Sequence, residues 1–221
     1  MSTKKKSNKA YLTPINQKQE EYQKAIMNND VIFGIGPAGV GKSYVAAMEA
    51  AMSLDEGSVA RIILVRPARE AAGEKLGYLP GTAEEKVEPY FFPILDSWAD
   101  VWTPGKVDTL IGEGRIQYWP VAHLRGRTFR NAFVIVDELQ NLTLQQLYLV
   151  LTRFGEGSKM VLDGDWRQSD LLKHETNGKK LVEALVGKNG IAHITFSTED
   201  VIRHPIVTEV VNTYEELYGN G

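Results

Sequence analysis

At 221 residues the chain is long enough for one α/β domain with a sizeable core, and its 43% hydrophobic fraction is that of an ordinary globular protein. The absence of cysteine excludes disulfides and thiolate metal sites and fits a reducing compartment such as the cytoplasm. A formal charge of −3 excludes a surface coated in positive charge, although Lys and Arg can still be confined to one channel.

In chain order, residues 1–10 carry Lys4, Lys5, Lys6 and Lys9 with no apolar run behind them, and read as a flexible tail rather than a secretory signal. Residues 11–221 then read as one domain. Ile15, Tyr22, Ala25 and Ile26 recur at helical spacing within 11–29, ahead of the apolar strand Val31-Ile32-Phe33. Residues 44–54 are rich in helix formers, and Asp55-Glu56-Gly57 closes them.

Further apolar runs at 62–65, 133–136, 160–162 and 191–196 read as strands of a mainly parallel sheet. Helical patterns cover 83–102, which Pro89 and Pro93 must break or kink, then 144–154, 179–185 and 207–218. Strand alternating with helix predicts a doubly wound α/β fold. The stretch 68–120, with its prolines and glycines, is longer than a usual connection and reads as a helical insertion after the second strand. No apolar run approaches the roughly 20 residues a membrane-spanning helix needs, so no membrane partner is expected.

The string Gly36-Pro37-Ala38-Gly39-Val40-Gly41-Lys42-Ser43 follows a strand and opens a helix, the setting in which a phosphate-binding loop works. Glycines let backbone N–H groups turn toward phosphate oxygens, Lys42 adds a cation near the β and γ phosphates, and the helix N-terminus favours the negative charge. Ser43 supplies a hydroxyl ligand for Mg²⁺. ATP with Mg²⁺ is therefore the expected ligand.

The strand 133–136 ends in Asp137-Glu138, two carboxylates at the carboxyl edge of a parallel sheet, where ligands of such folds bind. Asp137 is expected to hold Mg²⁺, and Glu138 to orient and deprotonate the attacking water. After the strand 160–162, Gln168 is the candidate γ-phosphate sensor.

With these residues in view, the span from about 11 to 218 resembles the PhoH-like ATPases, P-loop proteins related to superfamily 1 helicase cores. The resemblance rests on Gly34-Ile35-Gly36-Pro37-Ala38-Gly39, Arg66-Pro67, the run from Ala72 to Gly81, Arg125-Gly126-Arg127-Thr128-Phe129, Asp137-Glu138-Leu139-Gln140-Asn141, Leu151-Thr152-Arg153, Gly164-Asp165 with Gln168, and Arg203-His204-Pro205. It implies a RecA/helicase-like P-loop NTPase fold and a hydrolytic ATPase stimulated by RNA or single-stranded DNA. It also implies a homo-oligomer, suspected to be a hexameric ring, and a glutamine, Gln19, that reads the adenine edge. Leu139 for a usual Ala, Ser43 for a common Thr, and Asp163 depart from the pattern without removing a catalytic group. No PIN nuclease or KH-like domain is expected in this length, nor a second RecA-like domain for unwinding by one subunit.

ATPases of this type often complete the site with an arginine, sometimes from a neighbouring subunit. Arg153 and Arg203 rank even, both placed where they could approach the nucleotide edge, with Arg125 and Arg127 behind them. Arg66 and Arg69 supply charge for a nucleic-acid strand, whereas Tyr78, Trp98 and Trp102 more naturally plug the core of the insertion. A small-molecule kinase or a nucleotide-dependent regulatory switch remain alternatives, the former disfavoured by Glu138, which offers a base for water.

Overall fold

Apolar stretches of five or six residues become strands β1 (Val31–Ile35), β2 (Arg61–Arg66), β3 (Ile116–Pro120), β4 (Ala132–Val136), β5 (Lys159–Gly164) and β6 (Ile191–Thr195). The computed structural model describes residues 12–67, 88–169, 171, 178–202, 206, 207, 209, 210 and 213. Within them the strands form one sheet in the order β3-β2-β4-β5-β1-β6, every pair parallel. All strands therefore end on one edge, and whatever follows each strand is gathered there.

The helices are α1 (Gln17–Asn28), α2 (Lys42–Asp55), α3 (Phe92–Trp98), α4 (Pro104–Gly112), α5 (Leu144–Leu151) and α6 (Gly178–Leu185). Alternate strand residues face opposite layers. Ile32, Ile62, Leu64, Phe133, Ile135 and Val161 pack toward α1, α2, α3 and α4. Phe33, Ile63, Val134, Val136, Met160 and Leu162 pack toward α5 and α6. β4, between two neighbours and two layers, is buried at all five positions, which is why its sequence is a continuous apolar run.

On α1 the inward face is Gln19, Tyr22 and Ile26, whereas Ile15 precedes the helix and is 70% exposed. Pro93 sits in the first turn of α3, where a missing N–H costs nothing, and the segment Glu88–Phe91 before it is a 3₁₀ turn. Trp98 and Trp102 are buried, their indole N–H groups donating to Ala47 O at 2.9 Å and Asp55 Oδ2 at 3.0 Å. They plug the helical layer, as expected, and stack no base. Tyr78 and Arg69 lie outside the described residues.

Helices follow the second strand as the sequence implied, but the end of that stretch differs. Residues 116–120 are not insertion: they form β3, paired in register with β2 from Ile62↔Ile116 to Arg66↔Pro120. Ile116-Gln117-Tyr118-Trp119-Pro120 alternates because an edge strand buries one face, and the terminal proline fits an edge. Of the helix expected at 207–218, only residues 207, 209, 210 and 213 are described, all helical.

Candidate nucleotide site at the carboxyl edge of the sheet

β1 delivers the loop. Gly36 N–H donates to Gly164 O at 3.0 Å, fixing the loop's entry beside β5, and Gly41, at φ 83°, turns it into α2. No side chain caps α2, so the first-turn amides are left to a ligand, and their partial positive charge suits phosphate. A Cβ at Gly41 would also run into the Gln19 amide, so this position is glycine for two reasons. Lys42 Nζ donates to Gly36 O and Pro37 O, each at 2.8 Å. Burial lowers the Lys42 pKa, opposed by the carboxylates of Asp163, Asp165, Asp137 and Glu138.

Gln19 reaches the same loop from α1. Its Nε2 donates to Val40 O at 3.0 Å and its Oε1 accepts from Ile15 N–H at 3.0 Å. The structure thus shows Gln19 bracing the phosphate loop.

Asp137 and Glu138 follow β4, and the strand order sets them beside Arg66 at the end of β2. Arg66 Nη1 lies 3.3 Å from Asp137 Oδ2, Nη2 lies 3.3 Å from Glu138 Oε1, and Nη1 also donates to Tyr90 O at 2.8 Å. Burial raises the Asp137 pKa, with Arg66 acting against it. Glu138 has the left-handed backbone φ 57°, ψ 44°, a conformation that costs a non-glycine residue on the order of 1–2 kcal/mol. Gln140 Nε2 donates to Glu138 Oε2, and Gln140 Oε1 accepts from Asp165 N–H at 3.0 Å. Gln140 therefore ties the bent Glu138 to the end of β5.

Beyond β5, Gln168 Nε2 donates to Asp165 Oδ2 at 3.3 Å. Burial pushes Asp165 up, but the hydrogen bonds and charge of Arg167, with Lys42, hold it below the ordinary range. Lys42, Ser43, Arg66, Asp137, Glu138 and Gln168 line one open cleft of about 430 Å³. No cluster of three or more His, Asp or Glu able to hold a metal exists among the described residues. A hydroxyl, a carboxylate and phosphate oxygens are, however, the donor set that suits Mg²⁺, and Ser43 and Asp137 in one cleft fit it.

A protein-family model described as PhoH-like protein matches residues 11–215. The chain belongs to the PhoH-like family. It is 45% identical over 199 residues to a PhoH-like protein of Synechocystis, a match that covers 90% of this chain and 60% of that one. Against the PhoH-like protein of Bacillus subtilis the identity is again 45%, covering 90% and 62%. Protein PhoH of Escherichia coli is 36% identical, covering 90% and 57%, so the chain spans about 60% of the length of these relatives. Among solved structures, the large terminase of a thermophilic bacteriophage superposes with a TM-score of 0.58 at 12% identity, covering 93% of this chain and 51% of that one. A crystal form of that terminase in complex with ADP gives a TM-score of 0.50 at 12% identity, covering 93% and 50%. These structures share the P-loop fold.

Within this PhoH-like chain, one residue expected at the nucleotide edge is elsewhere. Phe129 N–H donates to Arg153 O at 2.8 Å, three residues before β4 begins. Arg153 is thus at the amino edge, about a strand length, roughly 17 Å, from its own cleft. The cause is topological: α5 follows β4 and runs back against it, so its C-terminus returns to the edge where β5 starts. Arg153 is held there by Leu149 O at 3.2 Å and Arg127 O at 3.0 Å, and cannot serve this chain's own nucleotide. Arg203 lies outside the described residues.

Arg66 and Gln140 are among the cleft residues that the sequence did not assign to the nucleotide site. Arg66 was read as a contact for a nucleic-acid strand, and Gln140 only as part of a family string. For Gln140 the signal was its place two residues beyond Glu138, where a turn can fold it back. Arg66 gave none, because adjacency of β2 and β4 cannot be read from separate strings.

Proposed function

We propose that this chain is a Mg²⁺-dependent ATP hydrolase coupled to single-stranded RNA or DNA. The carrying observation is that the phosphate loop, Asp137, Glu138, Arg66 and Gln168, from four strand ends, line one cleft.

The loop amides and Lys42 hold the β and γ phosphates, while Ser43 and Asp137 would hold the ion, which when bound would neutralise charge developing on the phosphates. Glu138, fixed by Gln140, accepts a proton from a water aligned with the γ phosphorus. The new water-oxygen-to-phosphorus bond forms as the bond to the β–γ bridging oxygen breaks, and ADP departs with that electron pair. Arg66 is the arginine that the cleft itself supplies for the γ phosphate, beside Lys42. Gln168 contacts the γ phosphate or the water, and Gln19 couples the loop to an adenine. Nucleotide on the loop and nucleic acid as the stimulating ligand follow the family, as does assembly into a ring, which light scattering tests.

Phosphate release measured with and without a single-stranded oligonucleotide, alongside Glu138→Gln, decides the reading. Stimulated release in the wild type with loss in Glu138→Gln supports it. Flat, minimal turnover in both proteins would indicate a nucleotide-dependent switch, and phosphate appearing on a small hydroxyl acceptor instead of in water would indicate a kinase.

A further inference from the structure

Five of the chain's ten arginines, Arg61, Arg115, Arg127, Arg130 and Arg153, gather on the flank of the sheet beside β2 and β3. Their contacts define one neighbourhood. Arg61 Nη2 donates to Arg130 O at 3.4 Å, Arg115 Nε to Ala60 O at 3.4 Å, and Arg153 Nη1 to Arg127 O at 3.0 Å. Arg61 and Arg127 line a common groove of about 230 Å³ with Gln117, Trp119, Thr128 and Phe129.

Among the described residues none of the five has an ion pair with a carboxylate, and no Asp or Glu lines the groove. The contrast is internal to the molecule: Arg66 and Arg167, also described, both pair with carboxylates. In a chain of net charge −3, such a concentration of unneutralised guanidinium groups is a directed positive field rather than a general surface property. Arg127 Cζ also lies over the Trp119 indole, 3.7 Å from its centroid, and the residue is itself exposed. Its outer face is thus a rigid plane on which a base can stack, with phosphates reaching the forked donors around it.

We propose that the flank formed by Arg61, Arg115, Arg127 and Arg130, with Trp119 behind Arg127, binds a single strand of RNA or DNA by its phosphates and stacks one base on the Arg127–Trp119 pair. The size of the groove suits one splayed base, which only a single strand presents freely. Arg61, Arg115 and Arg130 stand at or just before the starts of their strands and Trp119 near the carboxyl end of β3, so the groove runs along one face of β2 and β3; it shares no lining residue with the nucleotide cleft, and strand binding here needs no nucleotide. The proposal rests on the strand-coupled reading given above, but not on hydrolysis.

Fluorescence anisotropy of labelled 20-mer oligo(U) and oligo(dT), titrated with protein over a series of salt concentrations without ATP, tests it. Arg127→Ala/Arg130→Ala is expected to weaken binding at least tenfold and to flatten the slope of log affinity against log salt by about 1.4, two phosphate contacts at roughly 0.7 each. Arg127→Lys, which keeps the charge and loses the plane, is expected to weaken binding while leaving the slope as it was. Melting curves confirm that each variant is folded, and phosphate release without oligonucleotide is expected to stay at the wild-type rate.

Wild-type binding of both oligonucleotides with an unchanged double variant would overturn the site alone, and a wild type that binds neither would sink the strand-coupled reading with it. Loss of basal phosphate release with binding intact would mean that the flank serves the nucleotide of another copy. Competition by polyglutamate as strong as by oligo(U) would assign it to acidic proteins, and either result rejects the proposal.

Discussion

Arg66 bridges the two carboxylates on which the proposed chemistry depends, 3.3 Å from each, while Tyr90 O holds the guanidinium at 2.8 Å. A cation so placed balances charge growing on a γ phosphate, a contribution usually worth about a hundredfold in rate or more. Arg66→Ala is therefore expected to lower single-turnover hydrolysis at least a hundredfold while fluorescent-nucleotide binding stays within a few-fold. Wild-type turnover in that variant would remove Arg66 from the chemistry. Beneath the loop, Asp163 Oδ1 accepts from Tyr22 Oη at 2.5 Å, and its Oδ2 has no partner. Burial pushes the Asp163 pKa up to about 7, with the Tyr22 hydrogen bond acting against it. Because the folded value lies above the unfolded one, near 3.9, the native state binds the proton more tightly. Its contribution is then fully present below about pH 4 and lost as pH rises through 7. Asp163→Asn keeps an acceptor for Tyr22 and removes the charge. Urea unfolding from pH 4 to 8 is expected to show the variant gaining on the wild type as pH rises, by on the order of 4 kcal/mol at the top, at about 1.4 kcal/mol per tenfold in proton affinity. Parallel curves would show that Asp163 does not titrate in this window.

At the scale of elements, α3 couples the segment after β2 to the loop-bearing helix. Trp98 is fully buried, packs against Trp102 with the rings tilted at 47° and centroids 5.3 Å apart, and donates to Ala47 O in the middle of α2. Trp98→Ala leaves a cavity and removes the indole donor to Ala47 O, and should cost about 3–5 kcal/mol in urea unfolding; a loss under about 1 kcal/mol, well below that range, would show that α3 does not support α2. The elements also show where sequence reading succeeds. The placement of the loop and Asp137-Glu138, which directly follow buried strands, and of Gln168, in the turn after β5, was legible because a parallel sheet gathers all strand ends on one edge. β3 was not, since an edge strand alternates Ile116, Tyr118 and Pro120 with polar or half-buried neighbours and so lacks the continuous apolar signature of β4. Arg153 was misplaced for a reason that was available: a helix between two parallel strands must return the chain to the amino edge. The pairing of Arg66 with Asp137 depended on strand order, which no local string encodes.

For the whole molecule, the cleft joins segments that are distant in sequence. Gln19 of α1 grips Val40 O, Gly36 N–H is held by Gly164 O, and Gln140 links the end of β4 to Asp165. A nucleotide seated there contacts α2, β2, β4 and β5 at once, so unfolding any of them requires its release. Ligand that binds only the native state at about a hundred times its dissociation constant adds about 2.7 kcal/mol. In a domain of this size that raises Tm by roughly 5–10 °C. Mg²⁺ with ATP is expected to produce such a shift in scanning calorimetry, and Lys42→Ala to abolish it by removing the cation from the loop. Glu138→Gln, which keeps every phosphate contact, should retain the shift and hold it longest, because the bound ATP is not consumed. The ordering of the three proteins separates binding from hydrolysis: equal shifts in wild type and Lys42→Ala would mean that the nucleotide does not use this loop, and no shift in any would mean that the cleft binds another ligand.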